Sequence, residues 1–272
     1  MAFAQISYLI DGQAASLRGL VSIKDRLCAE HLNELQQHYA PDLAYRFVDQ
    51  DSMEDARYYE EIIFQDKCIP TRSGSFHDYF NGLIWLQFGR TKSYLNALHW
   101  HDIVQEGHQI RTPMRDRVTH FDECGMVLVS DIVELKDRIT AHDWQWLFVD
   151  KQHSWFAPVN GIVPLHFGHA NLEMLCQPFI GLTAKVLVIT NSELLQIAHL
   201  SQQAGNSTHD RLHIRQHVDQ ALVKELKNTE VFEQGGGLLA LPILGIPNWH
   251  NQTQDAGFYA NQRYFMPHPT QR

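Results

Sequence analysis

The chain has 272 residues, 44% of them hydrophobic, enough to bury a sizeable core in one large domain or two intimate ones. Its 22 basic and 31 acidic residues leave a formal net charge of -9, which argues against a broad basic surface and so against a nucleic-acid partner. No apolar run reaches bilayer length, since the most apolar late stretch, Leu238 to Pro247, is short and broken by Pro242.

Residues 22–39 read as an amphipathic helix capped by Ser22, with Leu27, His31, Leu32 and Leu35 at helical spacing and Pro41 as the stop. Tyr45 to Val48 reads as a short strand, and the block from Tyr58 through Phe64 and Lys67 to Pro70 as a strand or hairpin rather than a helix. Two helices follow, one from His77 to Phe88 and a second from Lys92 to Gln105 with Thr91 as its cap. Pro113 suits the first position of a helix reaching Phe121, and Glu123-Cys124-Gly125 reads as a turn into a strand over Met126 to Val129. Asp131 to Thr140 and Asp143 to Asp150 read as helical. Val159 to Phe167 reads as a loop entering a strand, and Gly168-His169 as the start of a helix ending before Pro178. Lys185 to Ile189 is β-branched and strand-like, Asn191 caps a leucine-rich helix, and Thr208 caps a long one to Lys227. The expected fold is α+β, a mainly helical single domain with a few short strands. Its core covers about 20–230, and an irregular tail over 235–272 wraps the body.

The segment His77-Asp78-Tyr79-Phe80-Asn81-Gly82-Leu83-Ile84-Trp85-Leu86-Gln87-Phe88 puts polar side chains on an otherwise apolar helix, where they cost free energy unless something needs them. His77 and Asn81 share a helical face, and Asp78 projects about 100° away, where it can complement the helix dipole. Arg90 and Lys92 beside a helix start, with Asn96 and His99 further along, form a candidate anion pocket. Arg115, Asp116, Asp122 and Glu123 crowd a third helix, with two carboxylates at its unfavourable negative end. His169 and Glu173 share a face four residues apart, a spacing that suits two ligands of one metal or a carboxylate-oriented base. No glycine-rich phosphate loop, serine elbow or paired-cysteine zinc motif occurs. The 17 histidines otherwise include scattered ones, among them His31, His38, His108, His153 and His268, read as surface or helix-end residues.

Read together, these motifs resemble the bacterial family called domain of unknown function 3025. The family carries Val-Pro-Thr-Arg, then Trp-His-Asp-x-x-Asn-Ala-Leu-x-Trp-Leu-x-Phe-Pro-x-x-Lys, and later Arg-Asp-Ala-x-Thr-x-Phe-Asp-Glu-Asn-Gly and Phe-Gly-His-Ala-x-x-Glu. Here the counterparts are Ile69 to Arg72, His77 to Lys92, Arg115 to Gly125, and Phe167 to Ala170 with Glu173; Leu182-Thr183-Ala184 and Leu241 to Trp249 complete the order. Phe76 stands in place of tryptophan, Gly89 in place of proline, and Cys124 in place of asparagine. The resemblance supports the choice of site residues and implies no activity.

The leading expectation is a hydrolase or group-transfer enzyme acting on a small anionic molecule, phosphorylated or carboxylated. His77, Asp78, Asn81, His169 and Glu173 would be catalytic, with His77 or His169 as general base. Arg72, Arg90, Lys92, Asn96, Arg115, Asp116, Asp122 and Glu123 would bind substrate. A divalent metal held by Asp78, His169 and Glu173 is a secondary expectation. The alternative is a non-catalytic binding or adaptor protein whose polar motifs form a structural salt-bridge network and whose Trp100, Trp144, Trp146 and Trp155 meet a partner. The absence of a basic leader at Met1 to Ile6, together with the widely spaced Cys28, Cys68, Cys124 and Cys176, leads to an expectation of a soluble, cytoplasmic protein.

Overall fold

A computed structural model describes residues 27–201, 208–229, 231–234, 236–250 and 253–269. The chain begins with α1 (Ala29–Tyr39), β1 (Arg46–Asp49), α2 (Tyr59–Asp66) and β2 (Cys68–Thr71). Three helices follow, α3 (Phe76–Gln87), α4 (Gly89–Glu106) and α5 (Pro113–Cys124), and then β3 (Gly125–Ser130) and α6 (Leu135–Thr140). The remainder comprises β4 (Ile162–His166), α7 (His169–Leu175), β5 (Thr183–Thr190), α8 (Ser192–Ser201), α9 (Thr208–Thr229), β6 (Leu239–Pro242) and α10 (Ala256–Tyr259). It is an α+β fold, mainly helical, with short strands.

Four strands form one sheet in the order β4-β3-β5-β6, with β3 and β5 parallel and both outer strands antiparallel to their neighbours. Every residue of β3 is buried, so the sheet is covered on both faces, which accounts for the unbroken apolar run Met126 to Val129. Alternation divides its side chains. Val127, Val129, Val163, Leu165, Leu187 and Ile189 face the helical core, whereas Met126, Leu128, Ile162, Val186 and Leu241 face a second, aromatic-rich cluster.

In the helical core lies α3, buried from Tyr79 through Gln87. Such a helix, apolar nearly all round, can only be internal. Ser75 caps it by accepting the amide of Asp78 at 3.2 Å. The helix α5 runs straight into β3, and β4 ends opposite the start of β3, with Met126 paired to His166. The C-terminus of α5 and the N-terminus of α7 therefore meet at one end of the sheet. Gly168 makes that approach close. Its amide donates to the Gly125 carbonyl at 2.7 Å, and a Cβ there would stand 2.5 Å from the Gly125 nitrogen.

Several sequence expectations change. Tyr58 to Phe64 is helical, not a strand or hairpin: Ile62 and Ile63 turn into the core while Glu60 and Glu61 sit favourably in the first turn of α2. Thr91 lies inside α4, which begins at Gly89. Cys124 closes α5 rather than forming a turn. The segment after residue 235 contributes β6 to the sheet. Expected cap Ser22 lies outside the described residues, and the first helix is seen from Ala29. Trp144 and Trp155 are buried, each indole donating to a backbone carbonyl (Met266 and Leu147), so neither is a partner-facing ring. Among the described residues no helix is long and apolar enough to cross a membrane.

Candidate functional site

A cleft of about 440 Å³ opens where α2, α3, α4, α5 and α7 converge. His77 comes from the first turn of α3, Glu123 from the last turn of α5, and His169 is the first residue of α7. Packing of α7 against both α3 and α5 brings the three side chains together. His169 Nε2 lies 3.2 Å from His77 Nε2 and 3.5 Å from Glu123 Oε2. One ligand atom from each of the three falls within 4.8 Å of the others.

Carboxylates stand behind both rings. Glu173, one turn along α7 from His169, reaches His77 Nδ1 at 3.3 Å. Asp122 Oδ2 is 3.9 Å from His169 Nδ1, and its other oxygen accepts from Lys92 Nζ at 2.5 Å. Asp78 is held on its outer side by Arg72, whose backbone amide and guanidinium donate to it at 2.7 to 2.9 Å. Asn81 donates to the Tyr59 hydroxyl at 3.0 Å, leaving its buried Oδ1 with no partner.

Electrostatics separate these groups. Burial drives the His169 imidazole down to a pKa of about 3, with Asp122 opposing and Lys92 adding to the fall. Its ring is therefore neutral at pH 7. Burial, reinforced by the adjacent Asp122 charge, raises the Glu123 carboxyl above the usual range. Burial alone would raise Asp122 too, but Lys92 and then His169 hold it below. Asp78 is likewise lowered, because the Arg72 bonds outweigh the burial that would raise it. An uncompensated, crowded Glu123 beside a neutral, lone-pair-bearing histidine attracts a cation or a proton donor.

Most of the sequence-derived set meets here. His77, Asp78, Asn81, His169, Arg72, Arg115, Asp122 and Glu123 line the cleft. Lys92 and Glu173 stand one shell back, bracing Asp122 and His77. Asn96 braces too, donating to the Glu60 side chain at 2.7 Å and its carbonyl at 2.9 Å. Buried Arg115 is committed to scaffolding, donating to the Ile110 carbonyl at 2.5 Å and lying 3.6 Å from Asp102. Asp116 is half-buried and pairs with Arg111 at 2.8 Å.

Arg90 is elsewhere. Two residues on a helix differ by about 200°, so Lys92 faces Asp122 while Arg90 faces a second cleft with Arg215 and Asp219. The expected pairing of Arg90 and Lys92 around one anion does not form. The metal set Asp78, His169, Glu173 does not form either. Asp78 is turned onto Arg72, Glu173 reaches His77 rather than the centre, and the third convergent ligand atom belongs to Glu123.

Sequence reasoning missed Tyr59, Glu60, Arg111 and His108 as cleft residues. Tyr59 and Glu60 were hidden by reading α2 as a strand. His108 was grouped with surface histidines, and it is indeed exposed, but at the cleft mouth against Tyr58.

Fold and cleft together define an α+β protein with a histidine–carboxylate centre between helices. The chain belongs to the family described as Protein of unknown function (DUF3025), whose profile matches residues 45–269. Neither the curated proteins nor the solved structures yield a match.

Proposed function

We propose that the cleft is the active site of a hydrolase or group-transfer enzyme acting on a small anionic molecule, phosphorylated or carboxylated. The single observation supporting this reading is the meeting of His77 and His169, 92 positions apart in the chain, nitrogen to nitrogen at a solvent-reachable hollow. His77 is the base of the pair. Glu173 at its Nδ1 fixes the tautomer and leaves Nε2 to accept a proton from water or a substrate hydroxyl. His169 is too acidic a conjugate acid for that work at neutral pH. Arg72 and Arg111, whose side chains are 56% and 57% exposed, can exchange their present carboxylate partners for a substrate oxyanion through the same forked geometry. The reading extends to a bacterial cytoplasm, supported by four free cysteines suited to a reducing compartment.

Small phosphomonoesters, phosphodiesters, carboxylic esters and N-acyl amino acids should be screened against wild type and His77→Ala. We expect turnover of at least one class, reduced about 10²- to 10⁴-fold in the variant. A turnover that His77→Ala leaves intact contradicts the reading. The alternative of a non-catalytic binding or adaptor protein is favoured by one observation: Lys92–Asp122 and Arg72–Asp78 already pair two of the cleft carboxylates.

A further inference from the structure

We propose that His77, Glu123 and His169 bind a divalent first-row transition metal through three protein ligands, leaving a coordination position open to the cleft. Glu173 is an acceptor, so the His77 nitrogen facing it at 3.3 Å, Nδ1, carries the proton. His169 Nδ1 is buried and lies 3.9 Å from Asp122, so the tautomer protonated at Nδ1, against that carboxylate, is the one that frees Nε2 for a metal, with Glu123 meeting that metal as a further ligand rather than accepting a ring proton. Both Nε2 atoms are then lone pairs, facing each other at 3.2 Å, with a carboxylate oxygen 3.5 Å from one of them. Three acceptors at that spacing repel unless a cation lies between them.

The spacing itself fits a metal. Tetrahedral ligands at the usual bond length of about 2.0–2.1 Å stand about 3.3 Å from one another. The contacts at 3.2 and 3.5 Å fall on either side of that value. Glu173, 3.3 Å from His77 Nδ1, stands where an outer carboxylate orients a metal-bound histidine. Two imidazoles and one carboxylate suit zinc, iron, manganese or cobalt, and three protein ligands are the number found where metals keep a place for water or substrate. Metal binding stands independently of catalysis. Because the metal takes the His77 Nε2 lone pair, its consequence for turnover, a bound water of lowered pKa that replaces His77 as the base, rests on the hydrolase reading.

Calorimetric titration of chelator-treated, full-length protein with zinc(II) at neutral pH is expected to reveal one tight site per chain. Affinity should fall at least about 100-fold in Glu123→Gln and His169→Ala, and about 10- to 100-fold in Glu173→Gln. His268→Ala, outside the cleft, should match wild type and so report on surface histidines. Cobalt(II) should give a visible spectrum of low-coordinate metal that Glu123→Gln alters. If wild type binds no zinc, or if Glu123→Gln and Glu173→Gln bind it as wild type does, the two rings merely share a proton and the proposal is overturned. Neither titration uses substrate, so loss of this proposal leaves base catalysis by His77 testable, and loss of the hydrolase reading leaves the metal site standing.

Discussion

The first turn of α4 separates two polar clusters that differ in how they are completed. On one side the Asp219 carboxylate accepts from the Arg90 amide at 2.8 Å, the Thr91 amide at 3.0 Å and the Thr91 hydroxyl at 2.7 Å. It caps α4 from a helix more than a hundred residues away, and each of these three contacts brings a hydrogen to an oxygen. On the other side, past Lys92 and Asp122, His77 and His169 meet Nε2 to Nε2 at 3.2 Å beside the Glu123 carboxylate, and the Asn81 Oδ1 is buried without a partner. Scaffolding networks satisfy themselves; a binding centre leaves groups whose partner has yet to arrive.

That contrast can be broken in several places. The largest effect is expected at Gly168, where a methyl group would meet the backbone of Cys124 and Gly125 at 2.5 to 2.6 Å. Neither backbone can move cheaply, so Gly168→Ala should cost about 3 kcal/mol in denaturant unfolding and separate His169 from Glu123. Asp219→Ala strands two helix-start amides and should cost roughly 2–3 kcal/mol, with the His77 centre unaffected. Wild-type stability after both substitutions decides whether these positions are structural at all.

A smaller effect concerns pH. His166 is buried at the end of β4, bonds to the Gly168 carbonyl at 3.1 Å, and has its pKa pushed by burial from 6.5 down to about 4. The fold favours the neutral ring. Its contribution is complete above pH 6.5 and is lost as pH falls toward about 4, because the unfolded chain takes up the proton first. His166→Gln should flatten the stability profile in that window by about 1.4 kcal/mol per pH unit. An unchanged slope contradicts the burial argument. The smallest effect is expected for Arg72→Ala, which should raise KM about 5-fold for an anionic substrate with little change in kcat.

Much of the fold was legible from pattern. The buried run Met126 to Val129, Pro113 at a helix start and Asn191 as a cap all stand where local chemistry places them, the Asn191 side chain accepting the Leu194 amide at 2.9 Å. Helix α2 was not legible, because aromatic and β-branched residues favour strands locally while its packing on α4 and β2 decides otherwise. In the site, residue types were readable from polar atoms on apolar helices. Their partnerships were not. That Glu123 rather than Asp78 completes the trio depends on how α5 meets α7 across Gly168, and no spacing within a single helix encodes that. The same limit explains Arg90, whose direction is set by the helical phase of α4 against α9.

The central claim is that Glu123 serves a ligand and not the fold, and the unfolding free energy of ligand-free Glu123→Gln tests it most directly. Glutamine removes a charge that burial and Asp122 disfavour, so the variant should be as stable as wild type or more stable by up to about 1 kcal/mol at pH 7. A loss as large as that of Asp219→Ala would make the cleft one more self-satisfied network, and the account would be wrong.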